Sequence, residues 1–145
     1  MFYKKFTAIV IALSFSLLSF NTASNTIWKE YKSIDGVSIY QKVAKCTNQY
    51  NPATNDYFVF KYVNNNTYDV RISYKIEYWL DNNCRSCNLQ SPNEYEISID
   101  IKAGQSLEYT CSDSNKGFKL YKASKSRNDE GKNRFDFVGL KVDKI

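Results

Sequence analysis

One short stretch of the chain carries residue types able to do chemistry: Asn82-Asn83-Cys84-Arg85-Ser86-Cys87-Asn88-Leu89. A Cys-x-x-Cys pair serves as a redox dithiol, as half of a metal site, or as a short covalent clip. A redox pair wants its first cysteine at a helix N-terminus, where the dipole lowers the thiol pKa. Here the pair follows a strand pattern ending at Leu80 and precedes Ser91-Pro92, with no helical period between. Arg85 can favour a thiolate, so a thiol-redox or copper(I)-binding role for Cys84 and Cys87 stays open as the alternative reading. Zinc asks for four ligands, and the chain adds only the distant Cys46 and Cys111 and no histidine. Copper(I) would be held by the same two thiolates alone, since Met1 is the one methionine. The reading therefore assigns no metal and no cofactor, and expects a clip.

The absence of histidine also rules out Ser-His-Asp and Cys-His arrangements. Glu94 with Glu96, and Asp129 with Glu130, are carboxylate pairs in sequence. The first lies on the polar side of a strand pattern and the second in a loop pattern, so both read as solvated charge rather than a glycosidase dyad. Asp113 and Asp129 fit no calcium-loop spacing. The glycines at 36, 104, 117, 131 and 139 are isolated and form no phosphate loop. No catalytic residue is assigned, and the expectation is a non-enzyme.

The compartment follows from the N-terminus. Lys4 and Lys5 precede a 15-residue apolar run, Phe6 to Phe20, and Thr22 and Ser24 are small residues at the −3 and −1 positions of a cleavage site. That order is a secretory signal peptide over residues 1–24. The run is short of the roughly 18–20 apolar residues of a membrane span, so a protein that is not membrane-embedded, secreted or periplasmic, is expected. Removing 24 of the 145 residues leaves 121, enough for a single domain over residues 25–145, and lowers the formal charge from +5 to +3. Lys122, Lys125, Arg127, Lys132 and Arg134 gather near the C-terminus, but Asp129 and Glu130 interrupt them, so nucleic acid is not an expected partner.

In an exported chain an even count of four cysteines reads first as two disulfides, with three pairings possible. Placement favours Cys46–Cys111, the former just past a strand and the latter ending the inward row Leu107, Tyr109, Cys111. It also favours Cys84–Cys87 within one loop. On the chain-entropy model the long closure stabilises by about 4 kcal/mol and the short one by about 2 kcal/mol at most.

The elements that must position these residues are strands. Val70, Ile72, Tyr74, Ile76, Tyr78 and Leu80 alternate with polar neighbours, as do Tyr95, Ile97, Ile99 and Ile101. Val37, Ile39 and Val43 form an earlier row, and Trp28 and Tyr31 suggest a first short strand. Residues 57–63, YFVFKYV, are apolar on both faces and read as a central strand covered above and below. RFDFVGLKV, residues 134–142, shifts phase at Gly139, as at a β-bulge. Turn residues stand at Asp35-Gly36, Asn51-Pro52, Asn64-Asn65-Asn66, Ser91-Pro92-Asn93, Ala103-Gly104 and Lys116-Gly117. The expected class is all-β, an immunoglobulin-like antiparallel β-sandwich of about 7–8 strands, with a small barrel as the other architecture. Trp79 and Tyr40 fall on outward parity and are the candidate binding residues for a protein or sugar partner. Asn65-Asn66-Thr67 is a glycosylation sequon and marks a surface loop.

The order IWKEYKSIDGVSIY, Cys46, YFVFKYV, YDVRISYKIEYW, EYEISIDIKAGQSLEYTC and FDFVGLKV behind a signal peptide resembles small exported β-sandwich proteins of Bacteroidota-type bacteria. The resemblance spans nearly the whole mature chain. It implies the fold and the compartment and brings no activity. The expectation that results is a disulfide-stabilised, exported, non-enzymatic binding or structural protein whose partner is an envelope protein or a glycan.

Overall fold

The computed structural model describes residues 27–48, 51–113, 118–122 and 133–145. The signal segment, Lys116-Gly117, Asp129-Glu130 and the basic residues 125, 127 and 132 lie outside them. Nine strands run through the described residues: β1 (Lys29–Ile34), β2 (Val37–Asn48), β3 (Asn51–Asn64), β4 (Val70–Leu80), β5 (Asn83–Cys84), β6 (Glu96–Ile101), β7 (Ser106–Glu108), β8 (Lys119–Lys122) and β9 (Arg134–Lys144). All pairings are antiparallel and fall into two sheets. Among the described residues no helix is long and apolar enough to cross a membrane.

Each sheet is built around one long strand. In the first, β3 is paired along its length by β2, with β1 outside it. The far edge of β3 is shared by β8 at residues 56–59 and β7 at residues 61–63. In the second, β9 pairs with β4 from Val70 to Trp79, and the opposite edge of β4 is shared by β6 at residues 70–75 and β5 at residues 79–80.

Local chemistry sets the joins. Asp35 and Gly36 both have positive φ, 45° and 76°, which is the two-residue hairpin turn whose twist matches its strands. Asp81 and Asn82 make a second such turn with φ of 50° and 62°, not foreseen in the sequence although Asp and Asn tolerate this region best. The turn expected at Asn51-Pro52 is displaced: both residues belong to β3, and Asn48 pairs with Asn51. Gly139 has φ 65° and stands where Ser73 pairs with Lys141 but Lys75 with Val138, so β9 carries one extra residue, the expected bulge.

The core lies between the sheets. Ile72, Ile76, Val37, Ile39, Phe60 and Tyr62 are fully buried, and Tyr74, Tyr78, Ile97, Ile101, Leu120 and Phe137 nearly so. Rings join the two layers: Phe137 stacks on Tyr74 at 4.2 Å and meets Phe60 edge-on at 5.1 Å. Phe58 faces Phe135 at 5.2 Å, and the hydroxyls of Tyr62 and Tyr74 share a buried hydrogen bond. Such ring pairs add to plain area burial because edge and face carry opposite partial charge. At one side the edges β1 and β9 meet through side chains. Tyr31 Oη donates to Asp136 at 2.7 Å, and Lys32 Nζ lies 2.9 Å from the same carboxylate oxygen.

Two expectations change here. β3 is central, yet among the described residues no further element covers its outer face. Val59 is buried between its direct partners Lys42 and Lys119, whose alkyl stems can flank it, while Tyr57, Lys61 and Val63 stay half-exposed. The inward row that Leu107 begins in β7 ends just past the strand at Tyr109, which stacks on Phe118, and Cys111 is exposed in the turn that follows.

Candidate functional site

The Cys84–Cys87 loop fills a gap in the second sheet. Between β6 and β5 the edge of β4 at Ile76 and Tyr78 has no partner strand, and backbone groups left there without partners would each cost free energy. Ser86, fully buried, donates from Oγ to the Ile76 carbonyl at 2.7 Å and accepts the Tyr78 N–H at 2.9 Å. The Arg85 N–H donates to the Tyr78 carbonyl at 2.7 Å, and the Ile76 N–H to the Tyr95 carbonyl at 2.8 Å. All four polar groups of that edge are thus satisfied, two by one hydroxyl. Cys84 and Cys87 stand at disulfide distance, Cα atoms 5.7 Å apart, with the Cys87 N–H directed at Cys84 Sγ at 3.0 Å. Cys84 belongs to β5 opposite Trp79, not to a helix N-terminus, so the helix dipole that activates redox pairs does not act on it. Ser86 was missed in the sequence. Its signal was a small hydroxyl residue between two cysteines, which has meaning only once β4 is known to lack a partner at that height.

Cys46 and Cys111 also stand at disulfide distance, with Cα atoms 5.3 Å apart. They tie the far end of β2 to the turn after β7. Lys119 Nζ donates to the Cys111 carbonyl at 2.9 Å, drawing β8 to the same point.

The three asparagines 64–66 draw loops together at the opposite end of β3. Asn64 is fully buried; its Nδ2 is directed at the carbonyls of Tyr68, Ile101 and Lys102 at 2.9, 3.2 and 3.2 Å, and its Oδ1 accepts the Asn66 N–H. Asn65 donates its N–H to Gly36 and Nδ2 to Ser38 Oγ, and Asn66 Nδ2 reaches the Asp35 carbonyl at 2.9 Å. The sequon residue Asn65 is exposed, as its position in a surface loop requires.

Tyr40 and Trp79 do not share a surface. Tyr40, on β2, points away from the core beside Glu30 and Lys61 on the outer face of the first sheet. With it stand Lys42, whose ammonium lies 4.1 Å from the Trp28 ring centroid, Tyr57, 5.3 Å from Lys119 Nζ, and Glu108, 3.2 Å from Lys42 Nζ. Trp79 is on the outer face of the second sheet, with the Arg134 guanidinium 4.5 Å from its ring centroid and Cys84 opposite. That face is laced with paired charge. Arg71 grips Asp100 with two bonds of 2.7 and 2.8 Å, and Lys141 meets Asp143 at 2.6 Å.

Electrostatics bear on stability more than on reactivity. Lys32 and Tyr31 hold the Asp136 carboxyl below its ordinary range, Arg71 does so for Asp100, and Lys102 with the Ala103 N–H for Asp69. Burial raises Tyr78 and Tyr109 to about 12 and carries Tyr31, Tyr62 and Tyr74 higher still. Glu96 is engaged by Ser91 at 2.8 Å and Asn93 at 2.9 Å, a loop anchor rather than an acid facing a second carboxylate. Among the described residues no three His, Cys, Asp or Glu side chains converge as metal ligands. Compared with family models, with curated proteins and with solved structures, the chain matches none.

Proposed function

We propose that the protein is an exported, non-enzymatic binding protein, an immunoglobulin-like β-sandwich that meets an envelope protein or glycan through the outer face of β1, β2 and β3, centred on Tyr40. The observation that carries this reading is the contrast between the two outer faces. One presents Trp28, Tyr40 and Tyr57 interleaved with Lys42, Lys61 and Lys119. The other is dominated by mutually paired charges. Aromatic rings supply contact area at small entropic cost and are favoured at binding surfaces, whereas paired surface charge is well solvated and adds little to binding. Export is supported by the leader pattern of residues 1–24 and by four cysteines that pair off at disulfide distance.

The test is saturable binding of the purified protein to an envelope preparation from the producing cell. Tyr40→Ala is expected to weaken it by about tenfold, the scale of one well-placed aromatic contact, and Trp79→Ala to leave it within about twofold. A Tyr40→Ala protein that folds and binds as well as the wild type would overturn the reading.

A further inference from the structure

At the end of the first sheet the inward face changes character within one row. Val43, Phe58 and Leu120 stand in register across β2, β3 and β8 and close the core. The next inward row is Lys45, Asp56 and Lys122, again in register across the same strands. These three residues, with Thr54, Asn55 and Tyr121, line a cavity of about 250 Å3. That is just under the roughly 300–1,000 Å3 of pockets that hold drug-sized ligands, so it suits one ring-sized unit.

We infer that this cavity is a subsite for a carboxylated pyranose, a hexuronate-type sugar unit. The inference rests on the binding reading above and names its ligand class. Lys45 and Lys122 stand in register on either side of Asp56, leaving a surplus of one positive charge, and among the described residues neither lysine is ion-paired. A single anionic group is matched by that surplus, while a doubly charged phosphate would be opposed by Asp56. The remaining lining is mixed. The Asp56 carboxylate accepts from hydroxyl groups, and the Thr54 hydroxyl both donates and accepts, as a ring with several hydroxyls requires. Tyr121 borders the cavity and is 38% exposed. A bare inorganic anion would use the lysines and leave the rest of the lining without a role.

Methyl β-D-glucuronide, methyl β-D-glucoside and inorganic phosphate, each titrated into 15N-labelled protein, test this by amide shifts. The glucuronide is expected to perturb Lys45, Thr54, Asn55, Asp56, Tyr121 and Lys122, and to bind at least about tenfold more tightly than the neutral glucoside, the loss of one charge-assisted contact. Lys122→Gln and Lys45→Gln should each weaken it several-fold, whereas Asp56→Asn, which leaves two positive charges, should preserve or tighten it. Absence of glucuronide shifts at these residues overturns the inference, as does phosphate shifting them equally, which would mark an adventitious ion site only. If the glucuronide fails while Tyr40-dependent envelope binding persists, the subsite alone is refuted. If both fail, the binding reading falls with it.

Discussion

Replacing Ser86 by alanine removes one hydroxyl and, with it, the partners of two backbone groups. Ile76 is fully buried and Tyr78 is 5% exposed, so neither backbone recovers its partner freely from water. A buried donor or acceptor left unsatisfied costs about 1–3 kcal/mol; taking the middle of the range for the pair, with some relaxation, Ser86→Ala should destabilise by about 3 kcal/mol. For a domain of this size, with an unfolding entropy near 2 cal/mol/K per residue, that lowers Tm by roughly 10 °C. The comparison that gives the number meaning is the double replacement Cys84→Ser with Cys87→Ser, whose loop-closure ceiling is about 2 kcal/mol. Urea unfolding followed by far-UV circular dichroism, under conditions that keep Cys46–Cys111 oxidised, measures both. If the loop exists to complete the edge of β4, the hydroxyl matters more than the sulfur bridge. A Ser86→Ala protein within about 1 kcal/mol of wild type at unchanged m-value, or a clip removal that costs more, would refute the reasoning.

Two glycines separate backbone strain from steric overlap. At Gly139 (φ 65°) a Cβ meets nothing within 4 Å, so Gly139→Ala should cost only the left-handed conformation, about 1–2 kcal/mol. At Gly36 (φ 76°) a Cβ would collide with the Asn66 amide, so Gly36→Ala should cost clearly more in the same urea assay. In acid, the lowered carboxyls of Asp69, Asp100 and Asp136 mean that the folded state binds fewer protons than the unfolded one. Their contribution is present above about pH 4 and fades as pH falls through the folded values, which an acid titration of Tm checks. In alkali the sign reverses. The unfolded chain loses tyrosine protons near pH 10 while Tyr78 and Tyr109 hold theirs to about 12, so stability should fall between those values. Absorbance near 295 nm should show a class of tyrosines that ionises only with unfolding.

Period-two alternation made β4, β6 and the inward rows of β2 and β9 legible, because a residue facing a core must recur every second position whatever lies opposite. The bulge at Gly139 was legible for the same reason, since the phase change leaves a mark in the chain itself. β8 was not: with Leu120 its one buried residue and lysines at both ends, Lys119–Lys122 carries too short a row to stand out. The outward aromatics were legible as a set but not as two surfaces, because parity says only that a side chain leaves its own sheet's core. Tyr40 and Trp79 have the same parity on different sheets, and the side of the molecule follows from which sheet each strand joins.

The sequence alone determined an all-β chain, its main strands and the glycine bulge, since these follow from side-chain period and from φ angles that few residues adopt. The tertiary structure decided the place of the opening motif: the Ser86 hydroxyl between Cys84 and Cys87 completes the edge of β4 where no strand pairs between β5 and β6. It likewise decided that Lys45, Asp56 and Lys122, 11 and 66 residues apart along the chain, form one row. Local periodicity is written in neighbouring residues; an unfilled backbone edge or a cross-strand row exists only after non-local pairing has fixed the register.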